Sequence, residues 1–299
     1  MTDMLMQKLP DVRGKYLFNE PLKNHTWLNV GGPADVMFIP EDMADLQYFL
    51  QNNTLPVFIL GGGSNLLIRD GGWRGAVIKL SHKNFCSCQI EDNLIRCGSG
   101  YKNNLFKKVL PQYRLGGLEF LCSIPGTIGG AVKGNAGCFG SEISQVLRDA
   151  VALDAKGQVH HLTNQDFHFA YRHSDFPADW IITEVGLNAQ KSDTETIKMI
   201  IAQNDEYRRT HQPQGIRTAG STFKNPQGYR AWELIKNAGG AEMIVGGAQM
   251  SKQHCNFLEN DGTATAADIE NLGKQIIQAV KLQSGVTLEW EIMRIGQEL

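Results

Sequence analysis

The residues best suited to chemistry gather in one short run, Ala219-Gly220-Ser221-Thr222-Phe223-Lys224-Asn225-Pro226. It places a small flexible lead, a hydroxyl, a cation, an amide and a proline stop side by side. A Gly-Ser pair alone is ordinarily a turn, so Ser221 gains meaning only from its company. Arg172 lies among aromatics in Phe167–Phe176, within Tyr171-Arg172-His173-Ser174. A buried arginine is costly unless it meets an anion; the plain alternative is a surface arginine stacked on Tyr171. Glu289 and Glu291 share one face of the terminal run Val286–Gly296, opposite Leu288, Trp290 and Ile292. Carboxylates there form either a solvated edge or a lined site.

Two glycine-rich stretches supply a second kind of signal. The short apolar run Pro56–Leu60 reads as a buried strand and leads directly into Gly61-Gly62-Gly63-Ser64-Asn65-Leu66-Leu67-Ile68. Three glycines remove Cβ atoms and allow positive φ, so successive N–H groups can converge on an anion. Ser64 and Asn65 add side-chain donors. The loop is neither of two familiar phosphate motifs. The dinucleotide fingerprint needs a third glycine where Leu66 stands, and a P-loop needs Lys then Ser or Thr after its last glycine. The second stretch runs from Leu115 to Gly140 and includes Ser123-Ile124-Pro125-Gly126-Thr127-Ile128-Gly129-Gly130 and Asn135-Ala136-Gly137. So glycine-rich a run is not expected to pack as ordinary helix, and it is too apolar for a disordered linker. Each stretch alone could be a turn; together they suit a long ligand such as a dinucleotide.

Composition narrows the class. The chain has 299 residues, 42% hydrophobic and 20% charged, with a net charge of -2. It can bury large cores and is expected to form two or three domains. Balanced charge gives no basic nucleic-acid footprint. Met1–Pro10 has no continuous apolar run, so no signal peptide is expected, and no stretch reaches the roughly 20 apolar residues of a membrane span. The six cysteines follow no framework spacing and read as reduced cytosolic thiols. Cys86-Ser87-Cys88 cannot complete a four-ligand metal site by itself. His160 and His161 are adjacent on a strand, point to opposite faces and read as surface residues.

The elements that must position these groups follow from periodicity and breakers. Met1–Pro21 reads as an arm with little period. Asn24–Pro40 reads as strand, Gly-Gly-Pro bend and strand. Glu41–Asn52 has helical spacing. Strands are expected at Trp73–Leu80, Leu94–Gly98 and Trp180–Val185, with a hairpin over Leu147–Leu162. Helices are expected at Asn104–Leu110, Thr194–Arg209, Ala231–Ala238 and Thr265–Leu282, the last opening on a Thr265/Asp268 capping box. The main domain boundary is expected where the Thr194–Arg209 helix leads through Thr210–Pro213 toward Ser221.

Taken in order, these segments resemble the UDP-N-acetylenolpyruvoylglucosamine reductase family. The resemblance rests on Gly31-Gly32-Pro33-Ala34, Gly61–Leu66, Ile124–Ala131, Tyr171-Arg172 with Ser174 and Phe176, Gly220-Ser221 with Phe223–Pro226, His254–Phe257, and Leu288-Glu289 with Glu291-Ile292. The short spacing from Arg172 to Ser221 resembles the family's short, type II subclass, as do Trp232 and Trp290. The resemblance implies an α+β chain. A vanillyl-alcohol-oxidase-like (PCMH-type) FAD-binding unit of two subdomains, 1–80 and 81–200, would precede a C-terminal α+β substrate domain, 201–299. It implies FAD held by Gly61, Gly62, Gly63, Ser64, Asn65, Leu66, Ser123, Ile124, Pro125, Gly126, Thr127, Gly129, Gly130, Asn135 and Gly137. On that reading a Cβ at Gly63 would intrude on the FAD pyrophosphate.

The implied reaction passes a hydride from NADPH through the flavin N5 to UDP-GlcNAc enolpyruvate, giving UDP-N-acetylmuramate for peptidoglycan. Arg172 and a protonated Glu291 would flank the substrate carboxylate, and Ser221 would protonate the α-carbon. Tyr171, Arg209 and Asn225 match substrate-binding positions. The implied setting is cytoplasmic, in cell-wall biogenesis and so in cell shape, cell cycle and division, with no metal, membrane or nucleic-acid partner. The alternative of the same fold is an FAD-dependent oxidase using O₂. Many such oxidases tether FAD through a His in the glycine loop, and Gly61–Asn65 has none.

Overall fold

A computed structural model describes residues 9–299; the expectations for a missing leader and for the first part of the N-terminal arm lie outside the described residues. The principal elements begin with β1 (Lys15–Pro21), β2 (Pro33–Ile39), α1 (Met43–Asn52), β3 (Val57–Ile59), β4 (Leu66–Ile68), β5 (Trp73–Ile78), β6 (Cys88–Glu91) and β7 (Leu94–Gly98). They continue with α2 (Phe106–Tyr113), α3 (Ile128–Lys133), β8 (Leu147–Leu153), β9 (Val159–Thr163), β10 (Ile181–Asn188) and α4 (Thr194–His211). The chain ends with α5 (Ala231–Asn237), β11 (Ala248–Met250), β12 (Leu258–Asn260), α6 (Ala266–Ser284) and β13 (Met293–Ile295). The fold is α+β. Two compact units form. The first comprises the described residues up to Phe18, Val36–Gly62 and Gly75–Glu206; the second comprises Asn19–Asp35, Gly63–Arg74 and Tyr207–Leu299.

The first unit has two apolar cores. One gathers Val36, Phe38, Leu46, Phe49, Ala76 and Ile78, from α1 and the sheet ordered β1-β2-β5-β3. Phe38 stacks on Phe49 with ring centroids 4.5 Å apart. Asp42 caps α1 by accepting the Asp45 N–H at 3.0 Å. The other core lies on the antiparallel sheet β9-β8-β10-β7-β6, where Cys97, Ala150 and Val185 meet Phe106, Leu110, Ile128 and Ile197 from the helices.

The second unit is built around α6. Thr265 and Asp268 form the expected capping box, and Ile269, Leu272, Ile276 and Val280 are fully buried against Ala231, Leu234 and Ile235 of α5. β13 pairs in parallel with β4, Met293 opposite Leu66. A charge cluster fastens this pair to α6. Arg69 donates to both oxygens of buried Glu270 at 2.9 and 3.0 Å, and Arg294 donates to the same carboxylate at 3.3 Å.

Several expectations are corrected. The N-terminal arm contains β1, whose Tyr16 ring packs 5.3 Å from Phe38. Between residues 24 and 30, just before the Gly31-Gly32-Pro33 bend, no strand forms. Asn29 takes a positive φ of 55°, which ends extension, and Leu28 and Val30 are buried in the second core instead. Ile128–Lys133 is helical despite Gly129 and Gly130, because the Ile128 and Gly129 N–H groups are satisfied by the carbonyls of Tyr101 and Ser99, both at 2.9 Å. The terminal strand shrinks to β13, since the Glu291 N–H turns aside to Thr222 O at 2.9 Å. His160 stacks on Trp180 at 4.0 Å and pairs with Asp154, so it is not a bare surface residue.

Burial alone would push the Glu270 carboxyl up, but the hydrogen bonds and charge of Arg69, with the charges of Arg294 and Lys274, outweigh it and hold the carboxyl below its ordinary range. A depressed folded-state value gives stability that is present above the unfolded value, about 4.3, and lost as pH falls through the folded one. Glu270→Gln is expected to cost about 3 kcal/mol near neutrality, the low end for a broken buried pair because both arginines are part-exposed. It should also shrink the loss of stability on acidification below about pH 4. Denaturant melts of both proteins across pH check this; equal acid slopes would contradict it.

Candidate active site

In the first unit the two glycine stretches lie against each other. A Cβ on Gly62 would stand 2.5 Å from Gly126 Cα, and one on Gly61 would stand 3.0 Å from Thr127 Oγ1. Only backbone without side chains packs this closely. Among the described residues, the N–H groups of Gly61, Gly62, Gly126 and Thr127 donate to no protein acceptor. Free, adjacent backbone donors with no Cβ over them form a cradle for an anion. Next to it Asn103, whose own N–H donates to Gly126 O at 3.2 Å, is fully buried with both amide atoms unpaired. The donor set therefore fits a dinucleotide pyrophosphate held mainly by backbone. Ser123, Ile124, Pro125, Gly129 and Gly130 keep some exposure along this stretch.

Three predicted cofactor residues serve the protein itself. Gly63 has φ +64°, and a Cβ there would fall 2.0 Å from the His25 carbonyl oxygen. The His25 carbonyl by itself therefore requires glycine at this position. Leu66 opens β4 and is buried. Asn135 has no exposed surface; its amide donates to Ala170 O at 2.9 Å and accepts from Ser144 N–H at 3.0 Å.

Those Asn135 bonds hold the turn that carries Arg172. Ala170 and His173 exchange backbone hydrogen bonds at 3.0 Å, and Ser174 donates to Lys133 O at 2.7 Å. Arg172 takes φ +54°, and its Nη2 donates to Gly137 O at 2.8 Å. Its guanidinium lies 5.0 Å from the ring centroid of Tyr171, which is half exposed. The stacked reading of Arg172 describes part of this, and the bond to Gly137 O also fastens it to the second glycine stretch.

In the second unit the Ser221 segment is fixed by buried amides and hydroxyls. Asn256 accepts the Phe223 N–H at 3.0 Å and donates to Phe223 O at 2.9 Å. The Thr222 hydroxyl accepts the Leu258 N–H at 3.1 Å. The Thr222 N–H donates to Asn256 O at 2.7 Å, and Thr222 O accepts the Glu291 N–H. Ser221 and Glu291 thus lie on adjoining, hydrogen-bonded segments, both half-buried. Asn65 supports the second of these segments: its amide donates to Glu291 O at 3.0 Å. Burial also holds the His254 imidazole below its usual range, and its Nδ1 accepts the Asn256 N–H.

The two terminal carboxylates part company. Glu289 is exposed and faces Lys224 at 3.9 Å, so it is the solvated one, while Glu291 is the half-buried one. Between them Trp290 lies over Gly273 of α6, where a Cβ would fall 2.1 Å from the indole. Arg294 also stacks on this ring, 4.6 Å from its centroid. Asn225 is exposed and its Oδ1 accepts the Ala231 N–H at 3.0 Å, at the start of α5. Arg209 is exposed on the last turn of α4. The clamp residues Thr222 and Asn256 were not legible as functional, because a lone Thr or Asn carries no spacing signal.

A FAD-binding domain profile matches residues 34–163, which include both glycine stretches. A profile described as the UDP-N-acetylenolpyruvoylglucosamine reductase C-terminal domain matches residues 212–295, which include Ser221 and Glu291. With the α+β fold, these place the chain among FAD-dependent oxidoreductases. It is 45% identical over 99% of its length to the UDP-N-acetylenolpyruvoylglucosamine reductase of a Bradyrhizobium species, covering 97% of that protein. It is 44% identical over its full length to that of Methylorubrum extorquens, covering 97%. The solved reductase from Thermus caldophilus superposes with a TM-score of 0.82 at 32% identity, over 95% of this chain and 99% of that one. The chain belongs to the UDP-N-acetylenolpyruvoylglucosamine reductase family.

Asn256→Ala would orphan the N–H and C=O of buried Phe223, at about 1–3 kcal/mol for each group. A loss of about 2–6 kcal/mol in the stability measured by denaturant melts is expected. A variant as stable as the parent would show that Asn256 is not the clamp.

Proposed function

We propose that this chain catalyses the NADPH-dependent reduction of UDP-GlcNAc enolpyruvate to UDP-N-acetylmuramate, a step of peptidoglycan precursor synthesis in the cytoplasm. The observation that carries it is the clamped pair of segments bearing Ser221 and Glu291, on a chain that belongs to this reductase family. No helix among the described residues is long and apolar enough to cross a membrane, and no group of three or more His, Cys, Asp or Glu among them could hold a metal.

Gly61, Gly62, Gly126 and Thr127 would hold the FAD pyrophosphate by their free N–H groups, and the bound flavin would supply the hydride chemistry between NADPH and the enol-ether double bond. Arg172 offers a two-pronged guanidinium to the substrate carboxylate and balances the negative charge that develops beside it, commonly the largest catalytic effect. Its bond to Gly137 O sets the direction of that fork. Glu291 acts on the same charge as a hydrogen-bond donor. Ser221 gives its hydroxyl proton to the α-carbon; a serine is a weak acid, so it works only when held rigidly toward a strong base. The Thr222 and Asn256 clamps supply that rigidity. Tyr171, Arg209 and Asn225 are assigned to the rest of the substrate. Subdomains 1–80 and 81–200 ahead of a substrate domain 201–299 remain the proposed division, although Asn19–Asp35 and Gly63–Arg74 belong to the compact unit of Tyr207–Leu299. The O₂-using oxidase is not favoured: the family is a reductase family, and Gly61–Asn65 offers no histidine tether.

The test is spectroscopic and anaerobic. NADPH should bleach the bound flavin, and UDP-GlcNAc enolpyruvate should restore the oxidised band without O₂; recovery only in air would overturn the reductase reading. Ser221→Ala should still be bleached by NADPH, while reoxidation by substrate slows at least about 10²–10⁴-fold, the scale of general-acid catalysis. Near-normal turnover would remove the proton-donor role. Glu291→Gln should slow flavin reoxidation far more than flavin reduction, and equal damage to both would contradict its assignment.

A further inference from the structure

Cys88 and Cys97 stand directly opposite each other in the β6–β7 ladder. The preceding pair, Ser87 and Gly98, carries a backbone hydrogen bond, Gly98 N–H to Ser87 O at 3.0 Å. The cysteines therefore occupy a non-hydrogen-bonded position, where Cα atoms approach to about 4.5 Å and same-face side chains lie closest. Disulfides span Cα separations of about 4.4–6.8 Å, so the ladder needs little movement to join them. Both side chains belong to the same apolar core, which also holds Tyr101. Cys88 is half-buried and keeps some exposed surface, whereas Cys97 is fully buried. The remaining thiols of this unit lack such a partner: Cys86 faces Leu80 O and Cys138 faces Phe120 O, and Cys122 is buried.

We propose that Cys88 and Cys97 are a redox modification site, closing to an intramolecular disulfide when the protein meets a peroxide-class oxidant. The Cys88 thiolate attacks a peroxide oxygen; an S–O bond forms, the O–O bond breaks, and the first water leaves after taking up a proton. The Cys97 sulfur then attacks the Cys88 sulfur; the S–S bond forms, the S–O bond breaks, and the second water carries off the remaining proton. Two thiols and one hydrogen peroxide give one disulfide and two waters, the sulfurs giving up two electrons. The unequal burial of the pair sets the order of attack. Hydrogen bonds from Cys97, then Tyr101, lower the Cys88 thiol against the opposing effect of burial, while the bond to Cys88 and burial raise Cys97; the lowered, accessible thiol is the nucleophile. Beyond β7, Tyr101 O and Ser99 O receive the N–H groups of Ile128 and Gly129. The bridge would therefore close one short step from the second glycine stretch.

The full chain is treated with hydrogen peroxide, its free thiols are blocked with N-ethylmaleimide, and it is digested with trypsin without reduction. The expected product links the peptide of residues 84–96 to that of residues 97–102, with the bridge on Cys88, and dithiothreitol separates them. Titratable thiols should fall from the six of the reduced chain by two. Cys86→Ser should keep the linked peptide and Cys88→Ser should abolish it. Maleimide on both Cys88 and Cys97 in the peroxide-treated parent, a bridge through Cys86, or sulfinic acid in place of a bridge would each overturn the proposal. The parent's own peptide map decides, whatever the variants do to folding.

Discussion

The chemistry-bearing part of the second unit depends on backbone hydrogen bonds made by segments that are barely secondary structure at all. β4 and β13 pair over only three residues each, and the Ser221 segment touches its neighbours through single bridges to Phe257 and Trp290. So short a ladder is weak by itself. It holds because each exposed end is taken up by a side chain: Asn256 on Phe223, Thr222 on Leu258, Asn65 on Glu291. The bonds to Phe223 and Leu258 are buried, where an unmade hydrogen bond costs more than a made one returns. That asymmetry fixes the backbone that carries the Ser221 hydroxyl and the Glu291 carboxyl.

Below this layer, α6 acts as the floor. Glu270 meets two arginines, and Gly273 opens a flat space into which Trp290 fits with Arg294 over it. A tryptophan at position 290 is thereby explained by what lies beneath it: a helix surface lacking one Cβ. The segment on either side of Trp290 then turns one carboxylate to solvent and keeps the other half-buried. Alternation along the strand could not separate Glu289 from Glu291, because both share a face by period.

Glycine plays two different parts in this molecule. At Gly61, Gly62 and Gly126 it lets two backbone stretches meet and leaves their N–H groups free for an anion. At Gly63, one residue further on, the same residue type is required by a carbonyl of the protein and a positive φ. A glycine run read as a string invites one explanation for all its members; the contacts divide them.

The sequence by itself determined the helices with strong period and caps, notably α1 and α6, and the presence of two glycine stretches able to bind an anion. It determined the family too, since the spaced motifs from Gly31 to Ile292 occur in one order. These are local or ordered features, carried by periodicity, capping chemistry and residue type. Only the tertiary structure decided that the Gly61 and Gly126 stretches touch. It also decided that Asn135 is spent on the Arg172 turn, and that the terminal strand stops short because Glu291 turns to Thr222. Each of these is a hydrogen bond or steric contact between residues tens of positions apart. No local pattern encodes which distant carbonyl a buried N–H will find; that choice is made when the cores close and leave each polar group only the partners within reach.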